Sequence, residues 1–403
     1  MANIGKLTGT VKHYDWGGAV FIPALLDVSN TENKPFAEYW LGVHPQADCK
    51  IVFPDGNNTL FRDYINANAE GLLGTNVYKQ FGSVPFLLKA LDVNDMLSIQ
   101  VHPSKAAAEK DFAAENAAGV PLDSPQRNYK DTNHKPELMV AMGDFWLLHG
   151  FRPPASMKEI IAGVPELEFL LPVFADNNYT AVYQLVMEMP AEEVNRRLEP
   201  LLARILPLYE SGKISKSNPD YWAAKGHLTF SKPGKTDRGI FSVYLFNLVE
   251  VKQGQAVFQD AGVPHAYLFG QNIEIMASSD NVLRGGLTNK HIDVKELLKH
   301  TKCEPTYPDI LKGEKTGPYT VYKTPAPEFE LGSFNLKKGE SASFNLVTTE
   351  VFLLVKGAVT VASGGSTVEV HIGEPSAVLF PGNDIVLTAI EDSLVFKATV
   401  PGA

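Results

Sequence analysis

Cysteine is scarce, with only Cys49 and Cys303 in 403 residues. Two isolated thiols build no disulfide framework and suit a reducing compartment. No apolar run is long enough to span a bilayer. The opening stretch MANIGKLTGTVKHYDWGG lacks the apolar core of a secretion signal, so a cytoplasmic location is expected. Basic charge is also short: 36 Lys and Arg stand against 46 Asp and Glu, a formal net charge of −10. Without a basic footprint, nucleic acid is not an expected partner, and neither is a membrane. A phosphorylated ligand would have to meet a local cluster of Lys and Arg. The remaining composition is that of an ordinary globular protein, and the length allows two or three domains.

What the chain does have is one unusual stretch, Met96-Leu97-Ser98-Ile99-Gln100-Val101-His102-Pro103. Read as a strand, it points Ser98, Gln100 and His102 to one face and Leu97, Ile99 and Val101 to the other. Pro103 has no N–H and closes it. A buried face carrying Ser, Gln and His needs partners, and a metal ion would supply them. Three other segments carry charge into apolar surroundings. Lys89 interrupts the run Val84–Leu91, either snorkelling to solvent or kept as a cation for an anionic ligand. Glu137 follows His134-Lys135-Pro136 and opens an apolar strand, although such a run also suits a solvated turn. Glu274 lies among apolar neighbours in Asn272–Met276. In Lys34–Pro45, Trp40 reads as closing a sheet, while Glu38 and His44 stay open.

The organisation follows from the periodicities. Residues 1 to about 60 alternate short apolar runs with turn residues. Ser104 reads as the N-cap of a helix over Lys105–Phe112. Helical patterns fill 151–225, where Val194, Leu198, Leu201 and Ile205 share one face and Pro200 is expected to bend or restart the helix. A strand pattern resumes at Phe241. The predicted fold is mainly β, a duplicated jelly roll with an inserted α-helical domain, which the family resemblance described below implies to be cupin-like barrels (a bicupin). Residues 1–150 with 226–310 form the catalytic cupin-like unit, 151–225 the helical insertion, and 311–403 a C-terminal cupin-like β domain without metal ligands. In that last block Ala377-Val378-Leu379 lies over Ala256-Val257-Phe258, which sets Val386 opposite His265.

Gln100, His102, Glu137 and His265 are the predicted ligands of one zinc ion. His and carboxylate donors suit zinc, and a catalytic site keeps one position open. The set carries one formal negative charge, so the loaded site stays positive and can stabilise charge on a substrate oxygen.

Several strings in order, spanning 13–293, resemble type I mannose-6-phosphate isomerase (phosphomannose isomerase), a family of the cupin superfamily. They are WG near 16, KPFAEYWLGVHP, LLKALDVNDMLSIQVHPSK, DTNHKPEL, GVPHAYL and NIEIMASSDNVLRGGLTNKHID. The resemblance implies a zinc-dependent isomerase that interconverts mannose 6-phosphate and fructose 6-phosphate. It puts the four ligands on the residues already chosen. It also makes Arg284 the catalytic arginine and Lys290 the phosphate-side lysine, with Ser98 and Lys89 in support. The chain departs from the common strings at Met96, Gly285, Asn289 and His291, which touches loop shape rather than a reacting group. Moving a proton between C2 and C1 also needs a base. Glu274 and Lys135 are both candidates, and His134 or Asp280 would assist ring opening. The chain is read as a monomer. An oxygen-dependent bicupin, weakened by the Gln ligand and by the phosphate-side cations, and a non-catalytic sugar-binding cupin, which would tolerate an empty metal position, are the competing readings.

Overall fold

The computed structural model describes residues 3–402, which form three β-sheets backed by helices. The largest sheet gathers eleven strands around one long strand, His265–Ala277. That strand turns a corner at Gly270, where φ is +118° and an added Cβ would lie 2.6 Å from the Asp144 carbonyl. Only glycine fits such a position without strain. Before the corner, the strand pairs with Phe145–Phe151 and with Gln100. After it, the strand lies between Phe86–Val93 and Glu137–Ala141. One element therefore carries both His265 and Glu274 and joins the segments that bear the other candidate residues.

The period of two divides the faces cleanly. Leu88, Ala90, Ile273, Ile275, Leu138 and Val140 enter a core shared with Tyr39 and Leu41. Leu87, Lys89, Leu91, Glu274, Glu137 and Met139 share the opposite face by register. All eight residues of Phe86–Val93 are buried, so Lys89 does not snorkel to solvent.

A nine-stranded sheet contains most of the C-terminal strands together with Ile4–Thr8, which pairs with Ser376–Leu379. The chain start is thus sewn into the final block. A four-stranded sheet, built from Ser341–Asn345, Ala358–Ser363, Ser366–His371 and Asp384–Ala389, packs on it through Val359, Val361, Leu387 and Phe352. The molecule is sheet-rich, but among the described residues the ladders close no barrel. Val386 lies on an exposed strand position in the four-stranded sheet.

Helices occupy the chain from Pro154 to Leu245. Their apolar faces join one core with Met96, Ile99 and Val101, through Met157, Leu198, Trp222 and Phe241. The helices thus press on the back of the Gln100–His102 stretch. Three expectations change here. The strand pattern at Phe241 is a buried helix, Gly239–Leu245, and the strand starts only at Phe246. A short run buried on all sides has no period to separate helix from strand. Of Met96–His102, only Gln100–Val101 forms a ladder, although Leu97 and Ile99 still donate backbone bonds to Tyr267 and Gly286. Pro200 does not restart its helix. Ala191–Glu210 runs through Pro200 and Pro207, both on its exposed side, where water can take up the carbonyls they leave unbonded. Ser104 does cap Lys105–Ala117, accepting from Ala107 N at 3.4 Å. No helix among the described residues is long and apolar enough to cross a membrane.

Candidate metal centre

The centre is set by strand register. Gln100 is paired with His265 on one side and with Arg284 on the other. Residues directly paired across antiparallel strands point to the same face, so the three side chains form a row. His102, two residues on, emerges on that face as well. Glu137 opens the next strand, opposite Met276 and Gln259. The ligand atoms of His102, Glu137 and His265 lie within 4.8 Å of one another, and all three residues are buried.

Hydrogen bonding fixes how each histidine is presented. His102 Nδ1 faces the Asn281 carbonyl at 2.8 Å and His265 Nδ1 faces the Val263 carbonyl at 3.0 Å. A carbonyl only accepts, so each Nδ1 carries the proton and each Nε2 presents a lone pair. Those lone pairs point at Glu137: His102 Nε2 lies 3.4 Å from Oε1 and His265 Nε2 lies 3.3 Å from Oε2. Both Nε2 atoms are buried without a hydrogen-bond partner. Burial pushes the His102 imidazole down to about 4, against the pull of Glu137. Burial would raise the Glu137 carboxyl, but the neighbouring Lys135 ammonium holds it well below the usual carboxylate range. Two buried Nε2 atoms without hydrogen-bond partners therefore converge on one carboxylate, an arrangement that calls for a cation. The donor set fits a borderline metal such as zinc, and the carbonyl bonds to each Nδ1 are the outer contacts that orient ligating histidines.

The residues around this set form two groups. Lys135 Nζ lies 3.0 Å from Glu137 Oε1. Beneath it, Lys89 donates to Glu274 at 2.9 Å and lies 3.9 Å from Glu38. The other Glu274 oxygen accepts from Tyr267 at 2.8 Å, and Gln259 bonds the same hydroxyl at 3.3 Å. Burial raises the Glu274 carboxyl even though Lys89 opposes it. Trp40 does not merely close the sheet, since its indole N–H donates to Glu38 and Lys89 lies over its ring.

At the mouth, Arg284 is half-buried and burial alone pulls its guanidinium down. Asp280 lies 3.5 Å from His44 Nε2 and accepts from Gln46 at 3.2 Å. Burial would raise the Asp280 carboxyl, but His44 outweighs it and the net direction is down. Lys290 feels both burial and Arg284, which lower its ammonium, and Glu38, which opposes them. It lines a cleft of about 430 Å³ with Lys232, Lys235, Arg238 and His291. Asp237, the acidic residue of that lining, is occupied by the N–H groups of Gly239, Leu287 and Thr288. Ser98 lies half-buried outside any strand, two residues before Gln100. His134 turns elsewhere: its Nε2 is 2.5 Å from Glu328 Oε1.

The sequence reading does not single out Asn281, Tyr267, Gln259, Glu328 or the Lys232–Arg238 turn. Asn281 takes His102 on its carbonyl, accepts from Lys130 N on Oδ1, and donates to the Asp131 and Asn133 carbonyls. Its place inside the string around Asp280 is the one available signal. Gly285, a departure from the family pattern, has a structural reason, because a Cβ there would meet the Tyr183 hydroxyl at 2.8 Å and Ile99 at 2.9 Å.

The type I phosphomannose isomerase catalytic-domain family model matches residues 4–154. Mannose-6-phosphate isomerase of Escherichia coli K12 is 34% identical over 375 residues, 92% of this chain and 93% of that protein. This chain belongs to the mannose-6-phosphate isomerase family. Mannose-6-phosphate isomerase 2 of Arabidopsis thaliana is 33% identical, covering 98% of this chain and 92% of its own. A solved structure of the Salmonella typhimurium isomerase, bound to its substrate and to zinc, superimposes with a TM-score of 0.87 at 31% identity. It covers 99% of this chain and 100% of that one. A zinc-bound mannose 6-phosphate isomerase structure gives the same TM-score and identity.

Proposed function

We propose that this chain is a zinc-dependent mannose-6-phosphate isomerase that moves a proton between C2 and C1 of an open-chain hexose phosphate. The observation that carries the reading is the pair of buried Nε2 lone pairs facing the Glu137 carboxylate. His102, Glu137 and His265 hold the metal, and Gln100, between His265 and Arg284 in the register, is the fourth ligand. Zinc, when bound, supplies a Lewis acid for the developing oxyanion.

The chain's own residues do the rest. Lys135 is the proton carrier, because its Nζ sits beside a ligand oxygen while both Glu274 oxygens are already engaged. To act as the base, Lys135 first gives its ammonium proton to solvent and then takes the C2 hydrogen as a proton. The C–H pair becomes the C1=C2 bond and the carbonyl π pair moves to O1. The O2 proton passes to O1, the C2 carbonyl forms, and Lys135 returns its proton to C1. Arg284 stabilises the oxyanion at the mouth. Lys290, with Lys232, Lys235 and Arg238 around its cleft, meets the phosphate. Glu274, Lys89 and Tyr267 balance charge beneath the metal, with Ser98 in support. Asp280 with His44 is suited to ring opening.

The same reading divides the chain as the family implies: a metal-bearing jelly roll from 1–150 and 226–310, a helical insertion over 151–225, and a second jelly roll without ligands over 311–403. The test is formation of fructose 6-phosphate from mannose 6-phosphate in a coupled assay, with and without oxygen. Equal conversion in both is expected. An oxygen requirement, or no conversion, would refute the reading.

A further inference from the structure

The segment Asp131–Glu137 carries Lys135 and Glu137 and has little secondary structure of its own. Most of what holds it comes from one side. Ser279 donates to Asp131, Asn281 donates to the Asp131 and Asn133 carbonyls, and Asn133 donates to the Ser278 carbonyl. On the other side stands Glu328, from the chain's final block. It is buried, and its Oε1 meets His134 Nε2 at 2.5 Å. Its Oε2 is buried without a partner. A buried carboxylate is costly unless it is paired, so this contact is strongly position-determining. His134 and Lys135 are adjacent in an extended stretch, so their side chains diverge. When His134 is pinned to Glu328, Lys135 is left facing Glu137.

We infer that Glu328 is a positioning residue. Through His134 it fixes the segment that aims Lys135 and Glu137 at the metal, and so makes the final block part of the active centre. This rests on the proposed isomerase reading, and it gives that block a role that needs no metal ligand of its own. It also moves His134 from ring-opening acid to anchor.

The experiment compares wild type, Glu328→Gln, Glu328→Asp, His134→Ala and the Glu328→Gln/His134→Ala double variant, all loaded with zinc. For Glu328→Gln we expect a roughly tenfold fall in kcat, the scale of losses from outer-shell partners of metal ligands. KM should change less than about twofold, with a faster loss of zinc to a chelator. Glu328→Asp should recover part of the loss, and the double variant should be no worse than the more damaged single variant. Wild-type kcat and zinc retention in Glu328→Gln would overturn the inference. So would additive losses, or a loss explained entirely by the fraction of protein unfolded. The zinc-release arm reads the contact without turnover. If wild type did not convert the phosphosugar, that result would count against the isomerase reading alone.

Discussion

Arg284 and His265 flank Gln100 on neighbouring strands, so a cation and a proposed metal ligand face the same space. This arrangement separates their roles. Arg284→Ala removes a charge donor and no ligand, so the variant should fold and keep its zinc while kcat falls by about two to three decades. Metal analysis beside steady-state kinetics checks this, and near-normal kcat would remove Arg284 from the chemistry. At this scale much of the site can be read directly. Gln100, His102, Glu137 and His265 stand out because polar residues interrupt apolar strands, and the fold brings the two His and the Glu into one cluster. Between Glu274 and Lys135 the sequence offers no choice. Both are charges in apolar surroundings, and only the contacts tell them apart: Glu274 is held by Lys89 and Tyr267, whereas Lys135 meets Glu137. His134 reads as part of the chemistry because it adjoins Lys135, yet its partner lies 194 positions away. No local pattern reveals such a contact.

At the scale of elements, the helix Val294–His300 docks on Lys105–Ala117 through a polar knot. Tyr129 donates to Glu296 at 2.5 Å and lies 2.8 Å from His300 Nε2. Lys299 bridges Asp111 and Glu296 at 2.7 and 2.8 Å. Burial would raise both carboxyls, but Lys299 and Tyr129 hold them below their ordinary values of 3.8 and 4.5. A carboxyl depressed in the folded state stabilises it above the unfolded value, and that stability is lost as pH falls through the folded one. Thermal unfolding of wild type and Glu296→Gln should therefore differ at pH 7 and draw together as pH falls below the ordinary glutamate value of 4.5. A gap that is constant across that range would contradict the account. The elements themselves are unevenly legible. The apolar stripe of Ala191–Glu210 is plain because it repeats for several turns. Gly239–Leu245 is not, because uniform burial erases periodicity. The helices Phe61–Ala67, Ala69–Leu73 and Thr75–Phe81 are short and carry few buried positions each, too weak a pattern to set them apart.

For the molecule as a whole, the long strand His265–Ala277 and the pairing of Ile4–Thr8 with Ser376–Leu379 tie distant parts of the chain together. Pairings of that kind are set by tertiary packing, which explains why a sheet-rich architecture is readable while the sheet order is not. In the proposed centre, His102, His265 and Glu137 hold a zinc ion required for turnover. The most direct test is conversion of mannose 6-phosphate before chelation, after chelation, and after zinc is restored, with bound metal quantified at each step. One zinc per chain is expected, with loss of conversion in step with loss of zinc and recovery when it is returned. Full conversion by protein shown to be free of metal would contradict it.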